Sequence, residues 1–132
     1  SYSGIEIRKK MEKTAKQKTL KDLSDKFFLL LFAQGNDPYS DQAGKTAKHF
    51  CEILGWELVT VSLDEKGIST LPDAELDNGI SKKYGIKGVP AFYIVNSDTE
   101  DSLSLGVGPL TVSELMENAY IQLERVNKIE GK

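Results

Sequence analysis

The sequence predicts an α/β fold in which a central mixed sheet of four strands is flanked by helices. A continuous apolar run at 27–33 is bounded by polar residues, as is typical of a strand covered on both faces. Apolar residues then recur at helical spacing between Ser40 and Leu54. A second strand follows at 58–63, where branched residues predominate. The first half of the chain is therefore a strand–helix–strand unit.

For the second half of the chain, the sequence predicts a short helix, a β-hairpin and a C-terminal helix. Asp77 can cap the short helix. Apolar residues at 91–95 and 103–107 flank a polar turn, so we expect two antiparallel strands there. The closing helix has the clearest start signal of the sequence, a capping box with Thr111 at the N-cap and Glu114 three residues later.

The first 26 residues differ from the others in charge, and we expect them to form an extra basic helix or connector before one domain at 27–132. Eight basic and four acidic groups give residues 1–26 a net charge of +4, whereas residues 27–132 carry −7. A basic helix of this kind can contact nucleic acid or a membrane surface. We favour a solvated surface helix, expect no nucleic acid, and leave peripheral membrane contact open.

A single cysteine limits the redox chemistry that the chain can perform. Cys51 alone cannot form an internal disulfide or a two-cysteine redox couple. It lies on the apolar stripe of the predicted 40–54 helix, so we expect a buried and unreactive thiol. Since His49 is the only histidine, we predict neither a metal site nor a cofactor. The longest apolar run has seven residues, too few to cross a membrane as a helix.

Two short motifs mark the place where a binding or active site would lie. Asp37-Pro38-Tyr39-Ser40 follows the first strand and opens the first core helix, and Gly88-Val89-Pro90-Ala91 precedes the third strand. With these motifs, the order of elements resembles the thioredoxin-like fold. That resemblance implies a Cys-x-x-Cys pair at the first motif and a cis proline at the second. Here Asp37 and Ser40 stand in place of the two cysteines, around a retained Pro38-Tyr39.

Further stretches of the sequence lie at 61–64, 71–72, 77–80, 84–86, 89–92, 106–108 and 110–115. In this order, they resemble one family with this fold, the TraF family of conjugative pilus-assembly proteins from F-type type IV secretion systems. The resemblance covers about residues 26–124, and it implies a periplasmic protein that assists pilus assembly. Some members of the family carry the cysteine pair and others lack it, and this chain is of the second kind.

The residues at the first motif have simple structural interpretations. A carboxylate at Asp37 can cap the following helix. The functional alternative is that Asp37 acts as an acid–base catalyst. Ser40 would need an adjacent base to act as a nucleophile, and His49 lies about 13 Å further along the same helix. The resemblance to the thioredoxin-like fold implies that, without the cysteines, a groove that can bind a peptide remains. Its walls would be residues 37–40 and the backbone at Val89 and Pro90.

We therefore predict a redox-inactive, non-enzymatic protein that supports conjugative pilus assembly by binding other pilus-assembly proteins of the cell envelope. Two alternatives stay open. One is a thiol–disulfide oxidoreductase or isomerase, which would have to work through Cys51. The other is a thioredoxin-like adaptor without redox activity in another system.

Overall fold

A computed structural model describes residues 3–126 and residue 129. In this part of the chain, helices and strands occur almost where the sequence predicts them, with bounds that move by one or two residues. In chain order the elements are α1 (Gly4–Lys21), β1 (Phe27–Ala33), α2 (Pro38–Leu54), β2 (Glu57–Ser62), β3 (Glu75–Leu76), α3 (Ile80–Lys83), β4 (Ala91–Asn96), β5 (Ser102–Val107) and α4 (Val112–Arg125).

The strands form one mixed sheet in the order β3-β2-β1-β4-β5. Strand β1 is parallel to β2 and antiparallel to β4, and β4 and β5 form the predicted hairpin. The predicted four-stranded sheet gains a fifth strand, because β3 pairs in parallel with the end of β2. With two exposed residues, β3 is too short to produce an alternating pattern in the sequence.

The two faces of the sheet are covered very differently. On one face, Leu29 and Leu31 belong to a large core formed with helices α2 and α4, in which Phe50 is fully buried. On the other face, Leu30 and Phe32 belong to a smaller cluster. There the short helix α3 contributes Ile80, packed against this cluster.

Helix α1 is joined to the body through its C-terminal half. Leu20 is completely buried in the large core, and its carbonyl accepts a 2.8 Å hydrogen bond from the indole N–H of Trp56. The ammonium group of Lys16 forms an ion pair with Glu117 on α4 at 3.0 Å. This hydrogen-bonded pairing raises the pKa of Lys16. The division of the chain at residue 26 stays a prediction.

The sequence predicts an N-cap residue for each of the last two helices, and the structure confirms the cap of α4 but not that of α3. The capping box of α4 is confirmed, with reciprocal bonds between Thr111 and Glu114 of 3.1 and 2.9 Å. For α3, the N-cap is Gly79 and not Asp77. The Asp77 carboxylate accepts bonds from the hydroxyl and the N–H of Ser81, which lower its pKa. Asp77 therefore stabilises the turn that leads into the helix.

Across residues 3–126 and 129, no helix combines the length and the apolar character needed to cross a bilayer.

Candidate functional site

The sheet brings the two motifs of the sequence to one edge. Phe32 near the end of β1 pairs with Ala91 at the start of β4, because these strands are antiparallel. The 37–40 motif follows the end of β1, and the Val89–Pro90 pair comes directly before β4. Since the end of one strand and the start of its antiparallel neighbour lie side by side, both motifs lie at this edge of the sheet.

Asp37 and Ser40 are joined by a hydrogen bond at the start of α2. The Ser40 hydroxyl donates to Asp37 Oδ2 at 2.8 Å and accepts from the Gln34 N–H at 3.1 Å. Asp37 Oδ1 accepts from the Tyr39 N–H at 3.4 Å, so the interpretation of Asp37 as a helix cap is confirmed. Such a cap stabilises a helix by about 0.5–2 kcal/mol. The two residues that occupy the positions of a cysteine pair are therefore held together without a covalent bond.

The same arrangement removes Ser40 from contact with a substrate. Ser40 is fully buried, and its hydroxyl is engaged on both its donor and its acceptor side. His49 lies on the exposed side of α2, nine residues away. The structure therefore brings together no Ser–His pair at these two residues.

Val89 and Pro90 lie at the same edge of the sheet as the 37–40 motif. The peptide bond between them is cis. Pro90 is buried, and its carbonyl accepts a 2.8 Å bond from the Gly108 N–H. In contrast, within residues 3–126 and 129 the N–H and the carbonyl of Val89 have no hydrogen-bond partner. Unpaired backbone groups of this kind are the ones that strand addition uses.

Two exposed apolar side chains flank this edge of the molecule. Tyr39 on the first motif and Val107 at the end of β5 are each 58% exposed. Val107 pairs with Ala91 in the sheet, and so lies beside the residue that follows Pro90. Val107 was not predicted as a site residue, because the sequence pattern identifies it only as the last apolar residue of a strand. Only the pairing of β5 with β4 shows its position.

Cys51 lies outside this site. It is on the inner side of α2, in the large core, and is 7% exposed. Its Sγ donates a weak hydrogen bond to the Glu57 carbonyl at 3.7 Å. Burial raises the pKa of the thiol to about 12. The predicted burial of the cysteine is therefore confirmed, and a buried thiol with a raised pKa is a poor nucleophile.

The acidic residues after β2 serve the loop itself. Asp64 Oδ1 accepts bonds from the N–H groups of Gly35 and Lys66. The hydroxyl of Ser69 in the same loop donates to Asp41 on α2. In the part of the chain that the structure describes, no three His, Cys, Asp or Glu side chains are grouped so that they could hold a metal ion.

The fold and the site together define a thioredoxin-like protein whose cysteine-pair positions carry Asp37 and Ser40. Among solved structures, the chain is similar to StoA of Bacillus subtilis, with a TM-score of 0.52 and 22% identity, covering 71% of this chain and 82% of StoA. It is also similar to the thioredoxin domain of a thiol-disulfide oxidoreductase from Bacteroides vulgatus, with a TM-score of 0.53 and 15% identity, covering 76% of this chain and 81% of that domain. These likenesses show the fold.

The chain belongs to the TraF family, whose model, described as F plasmid transfer operon protein, matches residues 1–120. It is 23% identical over 116 residues to Protein TraF of Escherichia coli strain K12, which covers 86% of this chain. The match covers 47% of that relative, so the chain spans about half the length of Protein TraF.

Proposed function

We propose that this protein is a redox-inactive, thioredoxin-like component of a conjugative transfer system. It supports pilus assembly by binding other pilus-assembly proteins of the cell envelope, and it acts in the periplasm. Membership of the TraF family supports the link with conjugative transfer. The periplasmic location, the pilus and the partners come from the resemblance to conjugative pilus-assembly proteins.

The observation that supports this proposal most strongly is that Asp37 and Ser40 occupy the two cysteine positions at this edge of the sheet. A thiolate is the group that attacks a disulfide, and Asp37 and Ser40 provide none. The proposed groove beside them is supported by the backbone of Val89, which lacks a hydrogen-bond partner within residues 3–126 and 129. Binding without thiol chemistry is the activity that these groups can support.

The bound segment would lie in an extended conformation. The Val89 N–H and carbonyl would form main-chain bonds with it, as in strand addition. Tyr39 and Val107 would contact its apolar side chains, since both are largely exposed next to these groups. The Asp37–Ser40 bond would hold the opposite wall in one shape, whatever the redox state of the surroundings.

A thiol–disulfide oxidoreductase is the second candidate, because one structural neighbour is named as such an enzyme. That chemistry proceeds through an exposed thiolate. Cys51 is buried in the core and lies on α2 away from the 37–40 motif, so it is badly placed for this task.

The proposed groove is tested by replacing Val89 with tryptophan in a pull-down from envelope extracts, with mass spectrometry of the captured proteins. We expect Val89→Trp to lose most of the transfer proteins that the wild-type bait captures, because the indole ring would obstruct the groove. Val126→Trp is the matched control, since Val126 is 42% exposed at the end of α4. Circular dichroism spectra establish that both variants are folded.

Equal capture of transfer proteins by the Val89→Trp and Val126→Trp baits would contradict the groove and place the interface elsewhere. If no bait captures any transfer protein, the adaptor role in another system is favoured.

A further inference from the structure

The sheet face opposite α2 and α4 contains an apolar groove. Its floor is formed by strands β1, β2 and β4, where Phe28, Val59 and Tyr93 are only half-buried. The groove has a volume of about 580 Å³, and one of its walls is α3, a helix of four residues. Parallel strand pairs such as β1 and β2 are normally covered on both faces. This part of the sheet is therefore an unpartnered face.

The rim of the groove is acidic. Glu75 and Glu100 line it, opposed by Lys83. Glu57 is exposed and lies two residues before Val59 in β2, so it stands on the same face of the sheet. In residues 3–126 and 129, none of these three carboxylates forms an ion pair. The groove thus combines an apolar floor with an excess of negative charge.

Helix α1 carries a surface with the complementary character. Ile7 and Met11 are 48% and 67% exposed, and they lie one turn apart on the same side of the helix. Lys16, which pairs with Glu117 on α4, lies half a rotation round the helix from Ile7. Ile7 and Met11 therefore point away from the body. The helix has seven basic and two acidic residues between Gly4 and Lys21.

We propose that the groove receives helix α1 of a second copy of this chain. Ile7 and Met11 of one copy would enter the apolar floor of the next, and the basic residues of that helix would lie against the acidic rim. Helix α1 of the same copy cannot fill this groove, because it packs on α2 and α4, on the opposite side of the sheet.

This contact joins two different surfaces, so it leaves each pair of copies with one free groove and one free helix. Association of this kind is head-to-tail and continues into larger assemblies unless the rotation closes a ring. Two helical turns in one groove make a small interface, and small interfaces are weak. We therefore expect association that depends on protein concentration and falls as salt screens the opposite charges.

The test is sedimentation velocity of the full chain over a range of concentrations, at low and at high salt. At low salt, the mean mass is expected to rise above the 14.6 kDa of one copy as the concentration increases. Val59→Glu should abolish association through the groove, and Met11→Glu should abolish it through the helix. Ile121→Glu is the matched control, because Ile121 is an exposed apolar residue on α4.

A mixture of the Val59→Glu and Met11→Glu proteins gives the decisive result. Each variant retains the surface that the other has lost, so the mixture should form pairs and nothing larger. Since Val59 is half-buried, a second groove variant with Glu75→Lys and Glu100→Lys changes only exposed rim residues and should also prevent association. A monomer at every concentration would overturn the proposal, as would association that survives all of these variants or a mixture that stays monomeric.

Discussion

Native Cys51 is expected to react with a thiol reagent near pH 8 about a thousandfold more slowly than the same cysteine in denaturant. Burial raises the pKa of this thiol to about 12, whereas an unburied cysteine has a pKa of about 8.5. The thiolate is the reactive species, so its population near pH 8 falls by about three orders of magnitude on folding. The position of Cys51 in the core, at 7% exposure, adds steric protection.

Absorbance assays with an aromatic disulfide reagent measure this rate directly. Because the chain has one cysteine, the whole signal comes from Cys51. The Cys51→Ala protein supplies the blank in buffer and in denaturant. A native rate close to the rate in denaturant would place a reactive thiolate at the surface, and the oxidoreductase alternative would then become the better account.

Replacing Phe50 with alanine is expected to lower the free energy of unfolding by about 3–5 kcal/mol. Phe50 is fully buried where α2 packs on the sheet, and its ring meets Trp56 edge-on at 5.4 Å between centroids. Truncation removes apolar contact and leaves a cavity that rigid neighbours on β1 and α4 cannot fill. Because this helix also carries the 37–40 motif at its start, its packing positions the proposed groove.

Equilibrium unfolding in urea or guanidinium chloride measures this loss. Lys48→Ala is the control on the same helix, since Lys48 is exposed and its replacement should change the free energy by no more than about 0.5 kcal/mol. A Phe50→Ala protein within about 1 kcal/mol of wild type would mean that this part of the core is not packed as described.

Much of the fold was predictable because the relevant signals are local. The run at 27–33 is continuous and apolar, and it forms the central strand β1. The capping box at Thr111 and Glu114 fixes the start of α4, since its two hydrogen bonds join residues three apart. The C-cap at Gly55 is local in the same way, because its φ of 70° suits glycine.

The features that sequence reasoning missed depend on contacts between distant segments. Strand β3 exists because residues 75–76 meet the end of β2, and two residues carry no periodicity of their own. Val107 becomes part of the site edge only through the register of β5 on β4. The open face of the sheet follows from the shortness of α3. Asp77, three residues before that helix begins, accepts a hydrogen bond from Ser81 within it.

The central claim is that the protein supports conjugative transfer through its groove and without thiol chemistry. The most direct measurement is the transfer frequency of donor cells that lack their own copy of the gene and carry the wild type, Cys51→Ala or Val89→Trp, each at matched protein levels. We predict that Cys51→Ala restores transfer as well as the wild type does, and that Val89→Trp does not. Transfer that is lost with Cys51→Ala and retained with Val89→Trp would contradict the claim.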